Sequence, residues 1–300
     1  MNEVIAPQPR TAVDFAVPDG ACDCHTHVFC DPARFPFAAG RGYTPPAASA
    51  EELQAMLIAL GLARVVIVQP SVYGTDNTCT LDGMRRLGGR ARGVAVIDDS
   101  TPAEALQEMH VAGVRGVRVN LETAGQTDPD FALENLHAAA ARVLPLGWHV
   151  QVYTRLSVIA ALGYELGRIA VPVVFDHFGG ADASLGVNQP GFAGLMALVE
   201  SGGVYVKISG AYRSSERAPD YPDVAPLARA LIAANPDRIL WGTDWPHPHA
   251  PRPGTMAADI SAPYNIDDGL LLNQLRLWAP DPALRRKILV DNPARLYGFT

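Results

Sequence analysis

Short apolar runs alternate along this chain with longer segments in which apolar positions recur every three or four residues. Eight of the short runs read as strands, over 21–27, 64–69, 92–97, 114–120, 148–153, 171–176, 203–209 and 238–243. Two of them, Val65-Val66-Ile67-Val68 and Val171-Pro172-Val173-Val174-Phe175, are nearly continuously apolar. Such runs suit parallel strands buried on both faces. Ser49-Ala50-Glu51-Glu52 reads as a capping box that opens a helix running to Leu60 and closing at Gly61. Thr101-Pro102-Ala103-Glu104 reads as a second, with Pro at the first helical position. Further helical patterns cover 134–144, 156–166, 192–200, 222–235 and 270–278, and 284–290 with 293–297 forms a closing helix. Strands alternating with helices predict the α/β class, and eight repeats predict one (β/α)8 TIM barrel. The expected boundaries are a Pro-containing N-terminal arm over 1–20 and the barrel over 21–300. The competing architecture is a doubly wound open sheet, but no Gly-x-Gly-x-x-Gly follows a strand and no Walker sequence is present.

In a barrel, catalytic groups gather at the C-terminal ends of the strands. In chain order those positions hold His25 and His27, Gln69 and Ser71, Arg118 and Asn120, Gln151 and Tyr153, Asp176 and His177, Lys207 and Ser209, then Asp244 with His247 and His249. A buried polar group without a partner costs about 1–3 kcal/mol, so their concentration at one end of the strands calls for a site. Within Asp23-Cys24-His25-Thr26-His27, strand alternation puts Asp23, His25 and His27 on one face and Cys22, Cys24 and Thr26 on the other. Two imidazoles sharing a face, joined by His177 and Asp244, can hold a metal ion or polarise a carbonyl beside a general base. Plainer roles compete: a hydrogen-bonded structural His, an Asp244 that caps a turn, a Lys207 in a buried ion pair, and loop positions for His247 and His249. Arg118 and Arg213 suit carboxylate recognition or structural ion pairs. Tyr43 and Tyr73 lie in loops that close over a ligand or simply pack there.

Composition narrows the field. With 300 residues, 48% hydrophobic and 18% charged, the chain is globular and long enough for a large core. The net charge of −7 argues against nucleic-acid partners and anionic membrane surfaces, though not against a small anionic substrate. No apolar stretch is long enough to cross a bilayer, and residues 1–20 lack a signal-peptide pattern, so a cytoplasmic location is expected. Cys22, Cys24, Cys30 and Cys79 do not make a disulfide framework and read as reduced, buried thiols. A homo-oligomer is compatible with this chain.

Asp-x-His-x-His on the first strand, a His ending the sixth and Gly242-Thr243-Asp244-Trp245-Pro246 on the eighth resemble the amidohydrolase superfamily. The closing Asp291-Asn292-Pro293-Ala294-Arg295-Leu296-Tyr297 is similar to its amidohydrolase-2 branch. Tyr43-Thr44-Pro45-Pro46, Gln69-Pro70-Ser71-Val72-Tyr73-Gly74-Thr75-Asp76-Asn77 and Gly113-Val114-Arg115-Gly116-Val117-Arg118 resemble the 2-pyrone-4,6-dicarboxylate lactonase group. That group also holds sugar-lactone hydrolases and a galactarolactone isomerase. The resemblance spans roughly residues 20 to 299. It implies that Asp244 activates a water and that His25, His27 and His177 surround and polarise a lactone carbonyl. It also implies that Tyr43, Ser71, Arg118, Tyr153 and Arg213 hold carboxylate or hydroxyl groups of the ligand. Gln151 and Tyr153 stand where two-metal members carry a bridging Lys or Glu, which argues against a two-metal centre. The cofactor is then either none or one divalent metal, zinc first, on His25, His27, His177 and Asp244. The group's second Arg after the fourth strand is absent from 120–126, which favours a ligand with one carboxylate or more hydroxyls. The expected activity is hydrolysis of a carboxylate-bearing lactone, whether pyrone, muconolactone or sugar-acid lactone. Metal-dependent decarboxylation of an aromatic or muconate-type acid, lactone isomerisation and non-catalytic binding are the alternatives.

Overall fold

Eight parallel strands pair in chain order: β1 (Cys22–Thr26), β2 (Arg64–Val68), β3 (Ala91–Ala95), β4 (Val114–Asn120), β5 (His149–Tyr153), β6 (Val173–Phe175), β7 (Val204–Ser209) and β8 (Ile239–Gly242). The computed structural model describes residues 11–249 and 256–300. Just beyond β8 and β1 the sheet closes on itself. The Asp244 N–H donates to the His25 carbonyl at 2.8 Å, and the His27 N–H to the Trp245 carbonyl at 2.8 Å. All eight expected strands are present, and the result is a (β/α)8 barrel. Among the described residues no helix is long and apolar enough to cross a membrane.

Helices α1 (Ala50–Leu60), α2 (Thr78–Leu87), α3 (Ala103–Ala112), α4 (Pro129–Val143), α5 (Leu156–Leu162), α6 (Phe192–Glu200), α7 (Ala225–Ala234) and α8 (Asp268–Trp278) wrap the sheet, with α9 (Pro282–Arg286) and α10 (Asn292–Tyr297) closing the chain. The capping box at α1 forms in both directions, and Gly61 ends the helix in the left-handed conformation. The second expected capping box does not form. Pro102 itself precedes α3, with no side-chain bond to the helix. Helix α4 starts at Pro129 rather than 134, because Asp128 caps it through the Asp130 N–H. Helix α2 is absent from the sequence reading. Its interior Gly83 has poor helix propensity, but the position is tight: a Cβ there would lie 3.1 Å from Val28 and 3.2 Å from Ile67. Glycine lets α2 lie close against the barrel wall.

Inside the barrel, Cys22 and Cys24 pack with Val66, Val68, Val94, Val174 and Leu240 above Tyr297 and Phe299. This corrects the expected alternation. A register shift between Asp23 and Thr26 is a bulge that turns two successive side chains, Cys24 and His25, to the same side. Asp23 is left on the outer side, bound to Thr243 Oγ1 at 2.6 Å. The cysteine expectation is corrected as well. Cys30 and Cys79 form a disulfide across 49 residues, while Cys22 and Cys24 are free and buried. That pairing comes from the β1–α1 connection passing over the start of α2. Residues 1–10 of the expected arm lie outside the described residues. The rest lies along α8, where Thr11 bonds Asp267 and Asp14 bonds Asn273.

His149 sits on the barrel floor, fully buried and edge-on to Tyr297 at 5.2 Å. Burial, aided by Lys207, lowers its pKa to about 3. The unfolded chain therefore binds a proton that the folded chain refuses. This contribution to stability is intact above about pH 6.5 and is lost as pH falls toward 3, with a slope of up to ~1.4 kcal/mol per pH unit. Denaturant unfolding between pH 7 and 4 should show a shallower loss for His149→Gln than for the parent.

Candidate active site

The site stands at the C-terminal mouth of the barrel, where β1, β6 and β8 deliver three imidazoles and two carboxylates. Asp244 follows β8 in a left-handed conformation (φ 68°), and His177 follows β6 in the same region (φ 46°). Such backbones are uncommon for residues other than glycine. For Asp244, the hydrogen bond to the His25 carbonyl fixes the turn.

Asp244 Oδ1 lies 3.5 Å from His25 Nε2 and 3.4 Å from His27 Nε2, and Oδ2 lies 3.9 Å from His177 Nε2. Oδ2 accepts from the Tyr212 hydroxyl at 2.6 Å and from Arg213 Nε. Burial pushes the Asp244 carboxyl up, but Arg213, His177 and His27 overcome it and hold it well below the usual carboxylate range. The imidazoles move down: burial takes His25 well below its ordinary value, lowers His27, and brings His177 to about 4. All three are neutral rings near pH 7.

Their tautomers follow from their partners. His27 Nδ1 is 2.8 Å from the Val68 carbonyl, and His177 Nδ1 is 3.3 Å from the Ser209 carbonyl. The Ser209 hydroxyl, 3.1 Å from the same His177 nitrogen, accepts as readily as it donates, whereas a carbonyl only accepts. A proton on both Nδ1 atoms satisfies every one of these partners, and both Nε2 atoms then present lone pairs toward Asp244. His25 Nε2 and Asp244 Oδ1 are buried with no hydrogen-bond partner of their own. Ligand atoms of His25, His27 and Asp244 lie within 4.8 Å of one another. Lone pairs converging on an ionised carboxylate are a donor set for a cation, so these residues fit a single divalent metal ion. A second group within the same spacing, His25, Asp176 and His177, shares His25.

A cavity of about 320 Å³ opens onto this cluster. Of the ligand-holding residues expected from sequence, Tyr43, Ser71, Arg118, Tyr153 and Arg213 all line it, as do His27, His177 and Asp244. His25 lies beneath them, fully buried. Arg118 stacks over Tyr153, whose ring meets His177 edge-on. Arg213 is already engaged, by Asp244 and by the Pro248 carbonyl at 3.1 Å. Tyr73 does not reach the cavity lining. Its hydroxyl accepts from the Cys30 N–H. Gln69 also turns away, bracing the loop after β2 through Gly74 and Asp76. His249 lines the cavity, stacked with Tyr264, whereas His247 is buried against Asp268 at 3.0 Å. Three further participants were not singled out as site residues from sequence. Tyr212 holds Asp244, Asp176 holds Arg118 at 3.3 Å, and Glu122 lines the cavity rim paired with Arg155. Asp176 and Lys207 were visible only as polar strand-end residues, and Tyr212 only as the neighbour of Arg213.

The model of the amidohydrolase family matches residues 22–299. The chain belongs to this family. It is 38% identical over 289 residues to a 4-sulfomuconolactone hydrolase of Hydrogenophaga intermedia, covering 95% of this chain and 90% of the relative. It is 39% identical over 294 residues to a 2-pyrone-4,6-dicarboxylate hydrolase of Comamonas testosteroni, covering 94% and 92%. A D-galactarolactone isomerase of Agrobacterium fabrum is 30% identical over 302 residues, covering 100% and 98%. Each expected motif of this amidohydrolase thus falls inside the matched span.

The seam of the amidohydrolase barrel is tightest at Gly242. A Cβ there would lie 2.7 Å from the His25 amide nitrogen and 2.8 Å from the His25 Cβ. Gly242→Ala should lower stability by about 1–3 kcal/mol, the cost of overpacking, in denaturant unfolding.

Proposed function

We propose that this chain is a hydrolase that opens a carboxylate-bearing lactone by attack of water on the lactone carbonyl. The observation that carries the reading is the ionised Asp244 at the base of an Arg-lined cavity, with Oδ1 unpaired and turned toward His25 and His27 and with Oδ2 toward His177. The relatives named as lactone hydrolases point the same way.

In this reading Asp244 Oδ1 takes the proton of the attacking water, while Tyr212 and Arg213 on Oδ2 fix the carboxylate's orientation. Arg118 receives the substrate carboxylate, with Tyr43, Ser71 and Tyr153 donating to its other oxygens. His27 and His177 wall the reacting carbonyl, with His25 beneath them. A divalent ion bound there would lie on His25, His27 and Asp244 and would supply positive charge to the developing oxyanion. Otherwise a proton taken up on an inward imidazole nitrogen turns that ring into a donor. Arg213 is held by both Asp244 and the Pro248 carbonyl, whereas Arg118 has one 3.3 Å contact to Asp176 and an unpartnered Nε. Arg118 is therefore the guanidinium with donors left for a ligand, which suits a substrate with one carboxylate. Galactarolactone isomerisation, the activity named for one relative, would leave the number of titratable protons unchanged.

Proton release from a panel of pyrone, muconolactone and sugar-acid lactones, with and without chelator, tests the reading. Turnover with net acid release is expected, and its absence across the panel overturns hydrolysis. Asp244→Asn should retain the folded state and lower turnover roughly 10²–10⁴-fold. Near-parental turnover would remove Asp244 from the role of base. Arg118→Met should raise KM about 10- to 100-fold, the loss of one charge-assisted hydrogen bond of about 1.5–3 kcal/mol.

A further inference from the structure

His25 has two neighbours that ask for opposite proton placements. Its Nδ1 lies 3.2 Å from Asp176 Oδ1 and 3.4 Å from Lys207 Nζ. A carboxylate only accepts, so Asp176 requires a proton on Nδ1. An ammonium only donates, so Lys207 requires a lone pair there. The first leaves Nε2 as a lone pair facing Asp244 and the cavity floor. The second turns Nε2 into an N–H donor toward Asp244 Oδ1 at 3.5 Å, a longer contact than the 3.2 Å from Nδ1 to Asp176.

The surroundings choose between them. Lys207 donates to Gln151 Oε1 at 2.6 Å, a shorter and better-committed contact than the one to His25, and lies 3.5 Å from Asp176 Oδ1. Asp176 is held from its other side: Oδ2 accepts from Gln151 Nε2 at 3.0 Å and from Arg118 at 3.3 Å. With Gln151 flanked by both, the amide orientation is forced, since its oxygen must face the ammonium and its nitrogen the carboxylate. Asp176 Oδ1 has no other hydrogen-bond partner, so it is left for the imidazole nitrogen 3.2 Å away. All of these groups are buried in the barrel.

We propose that Asp176 is a positioning residue that locks His25 as the Nδ1–H tautomer, aligning its inward lone pair with those of His27 and His177, and at the same time anchors Arg118. One carboxylate then links the imidazole beneath the reacting centre to the guanidinium on the cavity wall. On the lactonase reading, a substrate carboxylate docking on Arg118 competes with Asp176 for that guanidinium. More of the Asp176 charge is then left to His25 at the moment of binding.

Long-range ¹H–¹⁵N correlation on the full chain with ¹⁵N-labelled histidine tests this, with His25 identified by its loss in His25→Gln. The expected result is His25 as the Nδ1–H tautomer in the parent, and as Nε2–H in Asp176→Asn, where an amide NH₂ can face the ring. His27 and His177 should stay Nδ1–H in both. An Nε2–H tautomer in the parent overturns the proposal, and that spectrum decides even if Asp176→Asn fails to fold. An Asp176→Asn spectrum with His25 unchanged also overturns it. The kinetic arm uses whichever lactone is turned over. Asp176→Asn should lower kcat by roughly 10–100-fold, the usual scale for such an outer partner, with a smaller rise in KM. A rise in KM with unchanged kcat would reduce Asp176 to an anchor for Arg118 and overturn the link to His25. If no lactone is turned over, the functional reading fails while the tautomer measurement still stands.

Discussion

The hydrogen bond from the Asp244 amide to the His25 carbonyl is the contact on which the rest of the site depends. It is part of the barrel's closure and, in the same stroke, sets the only acidic group of the eighth strand end against the imidazoles of the first. Closure of an eight-stranded sheet is a global event, satisfied only when every strand is in register. The close approach of Gly242 to His25 and the left-handed backbone at Asp244 are local costs of bringing the two strand ends so near.

Charge is distributed around this seam in two layers. In the upper layer Asp244 is matched by Arg213 and Tyr212. In the lower layer Asp176 is matched by Lys207, Gln151 and Arg118. His25 lies between them, one ring nitrogen toward each carboxylate. Buried charges are tolerated only when paired and hydrogen-bonded, and each of these carboxylates has at least two donors or cations within reach. The arrangement keeps both ionised and the imidazoles neutral, so that lone pairs rather than N–H groups are what His27 and His177 turn inward.

The strands, their order and the identity of most polar strand-end residues were legible in the sequence, because buried parallel strands leave continuous apolar runs and site residues interrupt them at one end. Asp-x-His-x-His and Gly-Thr-Asp-Trp-Pro were specific enough to point to the family to which the chain belongs. Helix α2 was not legible, since its glycine is chosen for close packing against Val28 and Ile67 rather than for helix propensity. Nor was the face assignment of Asp23, because a one-residue bulge reverses strand alternation and leaves no mark in the pattern of residues.

By itself, then, the sequence determined the (β/α)8 architecture and the presence of His25, His27, His177, Asp244 and Arg118 at strand ends, since these follow from local periodicity and from which residue types a core excludes. Tertiary structure alone decided the Cys30–Cys79 pairing, the capture of Arg213 by Asp244, and the placing of Asp176 between His25 and Arg118. Each of these joins residues at least thirty positions apart in the chain, which only the packing of successive and facing strands brings together.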